Sequence, residues 1–515
     1  MKLFTNKCAG FGLVFILMIA AALTACGGNN GGAATCIVIY DGNGEDGGSV
    51  PVDDNDYEEG QFVTVLGNTG DLVKAGYTFA GWNTRADGSG TTYAQDQTFT
   101  MEAADVILYA KWTDSGAGAG DLDTSFGGTG VVTTDIDGMG FAMAIQGDGK
   151  ILVAGSGDQA TVVRYNADGT LDPTFGINGI VTLPAGGNSL MVATALAIER
   201  GDSDDFRIVV AGIGTSSGFF RMAAARLNAN GSLDTSFAAT SVTPGIFYSP
   251  FTSNGSYGAQ DVAIQDDGKI VLVGETADRF AVVRLTDGGG LDSGFGGGAG
   301  YVTTVIQDHS HANAVAIQDD GKIVAAGQSY ADDGSGGWWN WAASIARYNT
   351  DGSLDSGNWG GPGYIYNTYI PDATAMAIQN GRIVIAGGHL VNSYDVFAMI
   401  GFDTIGWLDG TFGDGGFVTT SLGDSATAYA IALSDEGILL AGRASVGLDA
   451  MLAVARYSAN GSLDATFGSP DGYVFTVVGA SPCANGVAID SSDRIVVAGG
   501  QGQSPSAYFV ACYLP

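Results

Sequence analysis

The stretch AIQDDGKIVAAG, from Ala316 to Gly327, places two carboxylates, a lysine and a glycine between two apolar runs. Variants of it recur as AIQGDGKILVAG (144–155), AIQDDGKIVLVG (263–274), AIQNGRIVIAG (377–387), ALSDEGILLAG (432–442) and AIDSSDRIVVAG (488–499), with a looser copy at 197–212. Catalytic residues are normally brought together once per domain, whereas a pattern present in every repeat serves a repeated backbone. An Asp-Gly pair between apolar runs predicts a hairpin turn, because glycine adopts positive φ at little steric cost.

A second motif, LDTSFG, marks the same units. It and its variants begin at Leu122, Leu171, Leu233, Leu291, Leu354, Leu408 and Leu463, with a mean spacing of about 57 residues. Each unit contains four apolar runs of strand length separated by glycine-rich turns, which is the requirement for one blade of a propeller. The sequence therefore predicts an all-β protein with a seven-bladed β-propeller over residues 121–515. We expect Val131–Thr134 to pair with Tyr508–Tyr513 and so to complete the last blade.

Together the two motifs resemble those of the delta-60 repeat family of bacterial surface and secreted proteins. The resemblance extends over essentially all of residues 121–515. It implies a propeller-like repeat array and gives no ligand.

A pair of opposite charges recurs in most of the units. The Asp of LDxxFG is present in all seven units, as Asp123, Asp172, Asp234, Asp292, Asp355, Asp409 and Asp464. An arginine ends the preceding apolar run in five of them, as Arg164, Arg226, Arg284, Arg347 and Arg456. Either an Arg-carboxylate clamp or an Asx turn explains the Asp. Two units lack the arginine, so no strict ion-pair requirement is expected. The aromatic residue of the motif, from Phe126 to Phe467, is predicted to be an apolar plug between blades.

The N-terminus is typical of a secreted lipoprotein. Lys2 and Lys7 precede an apolar run that is too short to span a bilayer, so residues 1–25 are predicted to be a signal peptide. The run ends in LTAC, which resembles the bacterial lipobox, and this resemblance implies lipid modification of Cys26. Residues 26–35 are predicted to be a flexible tether. The expected localisation is the cell envelope, with the chain anchored by lipid in the outer membrane and exposed at the surface.

Residues 36–113 form a separate β-rich module with GYTFAGWNTRADGSGTTY and LYAKW as its most specific segments. These resemble the Listeria–Bacteroides, or internalin B-type, repeat. The resemblance implies a small β-grasp-like fold with Phe79, Trp82, Tyr109 and Trp112 as its core. Residues 114–120 are predicted to link this module to the propeller.

Composition excludes some partners and cofactors. The chain has 54 acidic and 20 basic residues, and a net charge of −34 would repel a nucleic acid backbone. We predict that Cys483 and Cys512 are free thiols, because they should lie two strands apart in one blade. No cofactor is predicted. A metal site built from the three histidines is not favoured, since nothing in the sequence brings His389 to the other two.

Strand parity separates two faces of the disc. In an antiparallel blade, the Asp-Gly turns and the LDxxFG connections lie on one face, and the two irregular connections of each unit lie on the other. The irregular connections hold the candidate ligand-binding residues Tyr248, Tyr257, His309, His311, Trp338, Trp339, Trp341, His389 and Tyr394. Aromatic and small polar residues on loops held by a rigid scaffold are typical of recognition surfaces.

Three functional hypotheses follow. The first is a lipid-anchored binding or adhesion scaffold whose irregular face binds a glycan or a protein. The second is a propeller hydrolase or lyase acting on extracellular polysaccharide, with Asp332 and Asp333 as the acidic candidates. The third is a structural envelope protein without a discrete ligand. No catalytic motif such as GxSxG, HExxH or a P-loop is present in the sequence.

Overall fold

The computed structural model describes residues 34–515 except 46–47, 71, 73, 75–76, 115–117, 200–205, 253–257, 333–337, 380, 392–393, 435–436 and 503–505. The chain divides into two compact units, with the boundary between residues 117 and 118. Cys26, the predicted lipidation site, lies outside the described residues. In the described part of the chain no helix is long and apolar enough to cross a membrane.

The first unit is built from eight short strands: β1 (Thr35–Cys36), β2 (Val38–Asp41), β3 (Tyr57–Glu58), β4 (Phe62–Thr64), β5 (Tyr77–Asn83), β6 (Thr92–Tyr93), β7 (Thr98–Thr100) and β8 (Val106–Asp114). Its main sheet has the order β2-β8-β5-β6, and β2 and β8 are parallel. Strands β1 and β3 form a second sheet, and β4 and β7 form a third.

The core of the first unit is centred on Trp82, which is fully buried and meets Tyr40 and Phe79 edge to face. Phe79 and Trp112 pack against this core, as predicted. The prediction for Tyr109 was wrong. Alternation along β8 turns Leu108 and Ala110 into the core, and this parity places Tyr109 on the opposite face of the sheet.

The second unit consists of seven four-stranded antiparallel sheets. Sheet 1 contains β10 (Gly140–Ile145), β11 (Ile151–Gly155), β12 (Thr161–Tyr165) and β13 (Ile180–Thr182). Sheet 2 contains β14 (Ser189–Glu199), β15 (Arg207–Ser216), β16 (Phe219–Leu227) and β17 (Ile246–Tyr248). Sheet 3 contains β18 (Ala259–Ile264), β19 (Ile270–Thr276), β20 (Arg279–Leu285) and β21 (Tyr301–Thr304). Sheet 4 contains β22 (His309–Ile317), β23 (Ile323–Asp332), β24 (Trp338–Tyr348) and β25 (Tyr364–Asn367).

The remaining sheets follow the same plan. Sheet 5 contains β26 (Asp372–Gln379), β27 (Arg382–Val391), β28 (Tyr394–Phe402) and β29 (Phe417–Thr420). Sheet 6 contains β30 (Ser425–Leu433), β31 (Ile438–Val446), β32 (Asp449–Tyr457) and β33 (Tyr473–Thr476). Sheet 7 contains β34 (Pro482–Ile489), β35 (Ile495–Gln501), β36 (Ala507–Tyr513) and, as its outer strand, β9 (Val131–Thr134).

These sheets form a closed β-propeller. The first strand of each sheet contacts the first strand of the next, and β34 of sheet 7 contacts β10 of sheet 1. The predicted closure is confirmed, because Val132 pairs with Val510 and so joins the start of the unit to its end. Apolar clusters fill the spaces between neighbouring sheets, and one of them joins Val153 of sheet 1 to Val496 of sheet 7.

In the repeated AIQxDGKIxxAG motif, the first strand contains a β-bulge, and its backbone approaches the glycine at the end of the motif closely. Every pairing of a first with a second strand contains a register shift. At the shift, the last glycine of the motif faces a carbonyl oxygen of the first strand. A Cβ added there would lie only 1.8–2.1 Å from that oxygen, at Gly155, Gly212, Gly274, Gly327, Gly387, Gly442 and Gly499. The Asp-Gly pair forms the turn, as predicted, and Gly321 has φ of 78°.

Each Asp of LDxxFG is paired with an arginine, in all seven units. Asp172 accepts a hydrogen bond from Nε of Arg164 at 2.8 Å, and Arg164 also donates to the carbonyl of Ala229 in the next sheet. In the two units without the expected arginine, the start of the second strand supplies it. Arg382 pairs with Asp409 at 2.6 Å, and Arg494 pairs with Asp123 at 3.0 Å. The expectation of no strict ion-pair requirement was therefore wrong.

The aromatic residue of LDxxFG is the predicted plug. It is fully buried in every unit, as Phe126, Phe175, Phe237, Phe295, Trp359, Phe412 and Phe467. In six units a guanidinium lies over its ring, at 4.4 Å from the ring centre for Arg164 and Phe175. In five of the units the described contacts show one arginine that combines a charge pair, a cation–π contact and a hydrogen bond to a carbonyl of the next sheet.

The connections divide between two faces, which we call the repeat face and the variable face. The repeat face contains the Asp-Gly turns and the LDxxFG connections, and there Arg494 donates to the carbonyl of Ala167 in sheet 1. The variable face contains the turns between second and third strands and the connections into each next sheet. There the backbone N–H of Ser310 donates to the carbonyl of Asp278 in sheet 3. Cys483 and Cys512 are free thiols, as predicted.

Candidate functional site

An aromatic stack on sheet 4 is the first prominent feature of the variable face. His309 pairs with Tyr330 in the register of β22 and β23, and their rings stack with centres 4.8 Å apart. The Trp341 ring lies tilted against Tyr330 with ring centres 4.5 Å apart, and about 39% of the Trp341 residue is exposed. His309 also places Nδ1 3.4 Å from a carboxylate oxygen of Asp278 on sheet 3. The stack therefore presents a tryptophan to solvent from a position fixed by two neighbouring sheets.

A second aromatic stack lies on sheet 5. His389 of β27 stacks on Tyr369 with ring centres 4.2 Å apart, and Nδ1 of His389 contacts the carbonyl oxygen of Tyr369. The Phe417 ring also contacts Tyr369, tilted and with ring centres 4.3 Å apart. Tyr394 begins β28 and is 58% exposed. Two of the three predicted histidines thus support aromatic stacks on adjacent sheets.

The other predicted residues lie on sheets 2 and 4 or outside the described residues. Tyr248 ends β17 and packs against the apolar cluster between sheets 1 and 2. In the backbone pairing of β23 with β24, Trp338 lies opposite Asp332 and Trp339 lies opposite Ala331, at the variable-face end of sheet 4. Tyr257 lies outside the described residues. Their role in binding stays a prediction.

His311 and the acidic candidates have distinct surroundings. Burial lowers the pKa of His311 to about 4, so its imidazole is neutral at pH 7. The backbone N–H of Asp332 donates to a carboxylate oxygen of Asp308 at 2.9 Å, and Asp333 lies outside the described residues. Within the described ranges no three His, Cys, Asp or Glu side chains are grouped as metal ligands. The enzymatic hypothesis stays a prediction.

The centre of the ring holds a polar cavity of about 440 Å³ that the sequence alone did not indicate. The bulged residue of every first strand lines it, as Phe141, Thr194, Gln260, Asn313, Thr374, Tyr429 and Asn485. Several of these side chains bond to the next sheet. Asn485 donates to the carbonyl of Gly140 at 2.8 Å, and Thr374 donates to that of Ala428 at 2.8 Å. Among the described contacts, four of the seven bulged side chains, those of Thr194, Asn313, Thr374 and Asn485, donate to a carbonyl of the next sheet around the cavity.

Two carboxylates face this cavity. Burial raises the pKa of Asp261 to about 6, although the backbone N–H groups of Val315 and Val262 donate to its oxygens at 2.8 Å. Burial likewise raises the pKa of Asp372 to about 6, partly offset by the hydrogen bond from Asn313. A signal for Asp261 was present in the sequence. Most other first strands have alanine at this position, for example Ala142 and Ala314.

Family models match both units. Residues 37–111 match the Listeria-Bacteroides repeat domain, which confirms the predicted module. Five segments match a domain of unknown function, DUF5122, described as a beta-propeller: 146–175, 207–237, 265–295, 318–357 and 434–467. Four of these segments begin at the turn between the first and second strands, the segment 207–237 begins with β15, and all five end within the LDxxFG motif of their unit. The chain therefore contains a Listeria-Bacteroides repeat domain and a DUF5122-type propeller.

Two relatives from Evansella cellulosilytica match a small part of the chain. One, named a putative Gly-rich membrane protein, is 44% identical over 75 residues, which is 15% of this chain and 8% of the relative. The other, named a putative membrane protein, is 39% identical over 90 residues, which is 18% of this chain and 13% of the relative. This chain therefore spans only about a tenth of the length of these relatives.

Solved structures with a similar arrangement are distant in sequence. A virginiamycin B lyase from Staphylococcus aureus is 10% identical with a TM-score of 0.37, over 74% of this chain and 98% of the lyase. Drosophila Semaphorin 2a is 11% identical with a TM-score of 0.42, over 75% of each chain. The polysaccharide lyase Uly1 is 12% identical with a TM-score of 0.41, over 73% of this chain and 90% of Uly1. At these values no ligand or activity follows for this chain.

Proposed function

We propose that this protein is a binding protein of the bacterial cell envelope, anchored through lipid on Cys26, whose variable face binds a glycan. The observation that supports the proposal most is the pair of aromatic stacks on sheets 4 and 5. Trp341 of the first stack and Tyr369 and His389 of the second lie toward the variable face, and each stack joins residues of adjacent elements.

The chemistry of the stacks favours a saccharide. A sugar ring has an apolar C–H face and a rim of hydroxyl groups, so it matches an aromatic ring flanked by hydrogen-bonding groups. Trp341 and Tyr394 offer exposed rings that lose little conformational entropy on binding. His309 and Asp278 lie beside the first stack as polar groups. A rigid scaffold with such loops is a common basis for recognition.

Glycan-array binding tests the proposal, because the chain offers a matched pair of exposed tryptophans. Trp341 lies on the variable face, and Trp407, which is 67% exposed, lies in a connection of the repeat face. We expect the purified protein to bind at least one class of oligosaccharide. Trp341→Ala should weaken that binding about tenfold or more, whereas Trp407→Ala should leave it unchanged.

Two results would contradict the proposal. Binding that depends on Trp407 rather than Trp341 would place the ligand on the wrong face. Absence of binding to every glycan, in a protein with wild-type circular dichroism, would favour a protein ligand or a purely structural role.

A further inference from the structure

Arg443 differs from the arginines of the LDxxFG pairs because no carboxylate oxygen lies within 4.0 Å of its nitrogens in the part of the chain that the structure describes. It lies on β31 directly after Gly442, where β31 emerges on the variable face, and it is half-buried. An arginine held in this way keeps its charge and five N–H donors. The chain carries a net charge of −34, and among its described residues Arg443 shares this lack of a carboxylate partner with Arg279, but of these two only Arg443 lines a cleft.

Two adjoining clefts share Arg443. The first, of about 210 Å³, is lined by Arg443 together with Asp395, Ser425, Thr427, Tyr429 and Ser445. The second, of about 470 Å³, extends from Arg443 between the β31–β32 turn and the connection into sheet 7. Leu448 and Val477 line this second cleft, and they are 104% and 71% exposed. Arg443 therefore lies where two clefts meet in one groove, with hydroxyl groups in the first and with Leu448, Val477 and the carboxylate of Asp449 in the second.

We propose that this groove binds an acidic saccharide, with the sugar carboxylate held by Arg443. The proposal rests on the glycan-binding function above and specifies its ligand class. A guanidinium donates two parallel hydrogen bonds to a carboxylate, which fits one acidic sugar at this point of the groove. Hydroxyl groups of Ser425, Thr427 and Ser445 can bond sugar hydroxyls, and Leu448 and Val477 can cover a C–H face. Asp395 and Asp449, which also line the groove, can accept hydrogen bonds from sugar hydroxyls, and their charges limit the number of acidic groups that the groove tolerates.

The thiol of Cys483 lies close to Arg443 and can report on ligand binding there. Burial raises the pKa of Cys483, and the neighbouring Arg443 guanidinium offsets part of that effect. Cys483 is half-buried, whereas Cys512 in the same sheet is fully buried. A carboxylate bound to Arg443 would offset the positive charge beside the Cys483 thiol and so make ionisation of that thiol less favourable. This effect slows alkylation of Cys483 by iodoacetamide, whereas the buried Cys512 should be unaffected.

The test compares trigalacturonate with its methyl ester, which has the same sugars without the charges. We expect the wild-type protein to bind trigalacturonate about tenfold or more tightly than the ester by titration calorimetry. Arg443→Gln should remove this preference. Arg279→Gln, which removes an exposed charge elsewhere on the variable face, should keep it. Trigalacturonate should also slow alkylation of Cys483 in the unmodified protein, measured by mass spectrometry.

The outcomes separate this inference from the function on which it rests. Equal binding of the acid and the ester, or a preference retained in Arg443→Gln, would overturn the acidic-saccharide inference and leave glycan binding intact. Unchanged alkylation of Cys483 at saturating trigalacturonate would also overturn it. If the array shows no glycan binding at all, the proposed function itself fails, and this inference fails with it.

Discussion

Asp261 occupies a position that alanine holds in most of the other first strands, and it lies in a cavity without lysine or arginine among its described lining residues. The cost of placing a carboxylate there is seen in its pKa, which burial raises to about 6. A carboxyl group with a raised pKa contributes its full stability only below its unfolded pKa. That contribution is lost as the pH rises through about 6.

Asp261→Asn should therefore become relatively more stable as the pH rises. Asparagine does not titrate, so the difference in unfolding free energy between variant and wild type should shift by about 2 kcal/mol in favour of the variant between pH 4 and pH 7.5. Urea unfolding at both pH values measures it. Asp267→Asn is the control with the opposite sign, because a hydrogen bond from Lys269 lowers the pKa of Asp267. A difference that does not change with pH for Asp261→Asn would show that this carboxyl group is not buried as described.

The arginine partners of the LDxxFG aspartates could be predicted only in part from the sequence. The Asp of LDxxFG and its arginine partner were recognised as a recurring pair, but the pairing of Arg382 and Arg494 was not. Those arginines lie on a different strand from Arg164, and only the register between second and third strands brings them to the same carboxylate. The sequence shows that these arginines and aspartates are present, but it does not show which of them lie close together in the fold.

At the scale of the element, the hairpin of the first and second strands explains why the repeated motif ends in glycine in every unit. The bulge in the first strand moves a carbonyl oxygen against the second strand, and only glycine leaves room for it. In sheet 1, a Cβ on Gly155 would lie 1.9 Å from the carbonyl oxygen of Met139 and 2.7 Å from the hydroxyl of Tyr508. Gly147, in the turn of the same hairpin, has no atom within 4 Å of its Cβ position.

Gly155→Ala should lower the unfolding free energy by about 1–3 kcal/mol, because the two strands must separate to admit the methyl group. Gly147→Ala should be close to wild type, since its φ is not positive and its Cβ position is open. Thermal unfolding of the two variants measures the difference. Equal stability of the two variants would contradict the close approach of the strands.

Elements differed in how far the sequence could define them. The turns and the strand order were predicted, because Asp-Gly signals and four apolar runs per unit are local features. The bulges were not, since a register shift depends on the partner strand. The aromatic stacks were predicted only as a set of residues on one face. Their arrangement arises because His309 and Tyr330 are paired across β22 and β23. This strand register cannot be derived from a single sequence.

At the scale of the whole molecule, closure follows from connectivity. The strand β9 precedes sheet 1 in the chain and completes sheet 7, so the ring has no free edge at its junction. Closure and strand parity were both predictable from the repeat. The polar central cavity was not, because it is formed by one bulged residue from each of seven distant segments. The molecule thus separates a repeat face, where charge pairs join neighbouring sheets, from a variable face, where the candidate binding groups lie.

Hydrogen–deuterium exchange with and without the saccharide that binds best on the array tests this separation most directly. With the saccharide bound, we expect slower exchange in peptides from β23–β24, β27–β28 and β31–β32. The Asp-Gly turns at 146–150, 265–269 and 318–322 should exchange at the same rate with and without ligand. Protection of those turns, with the variable-face hairpins unchanged, would contradict the assignment of the ligand to this face.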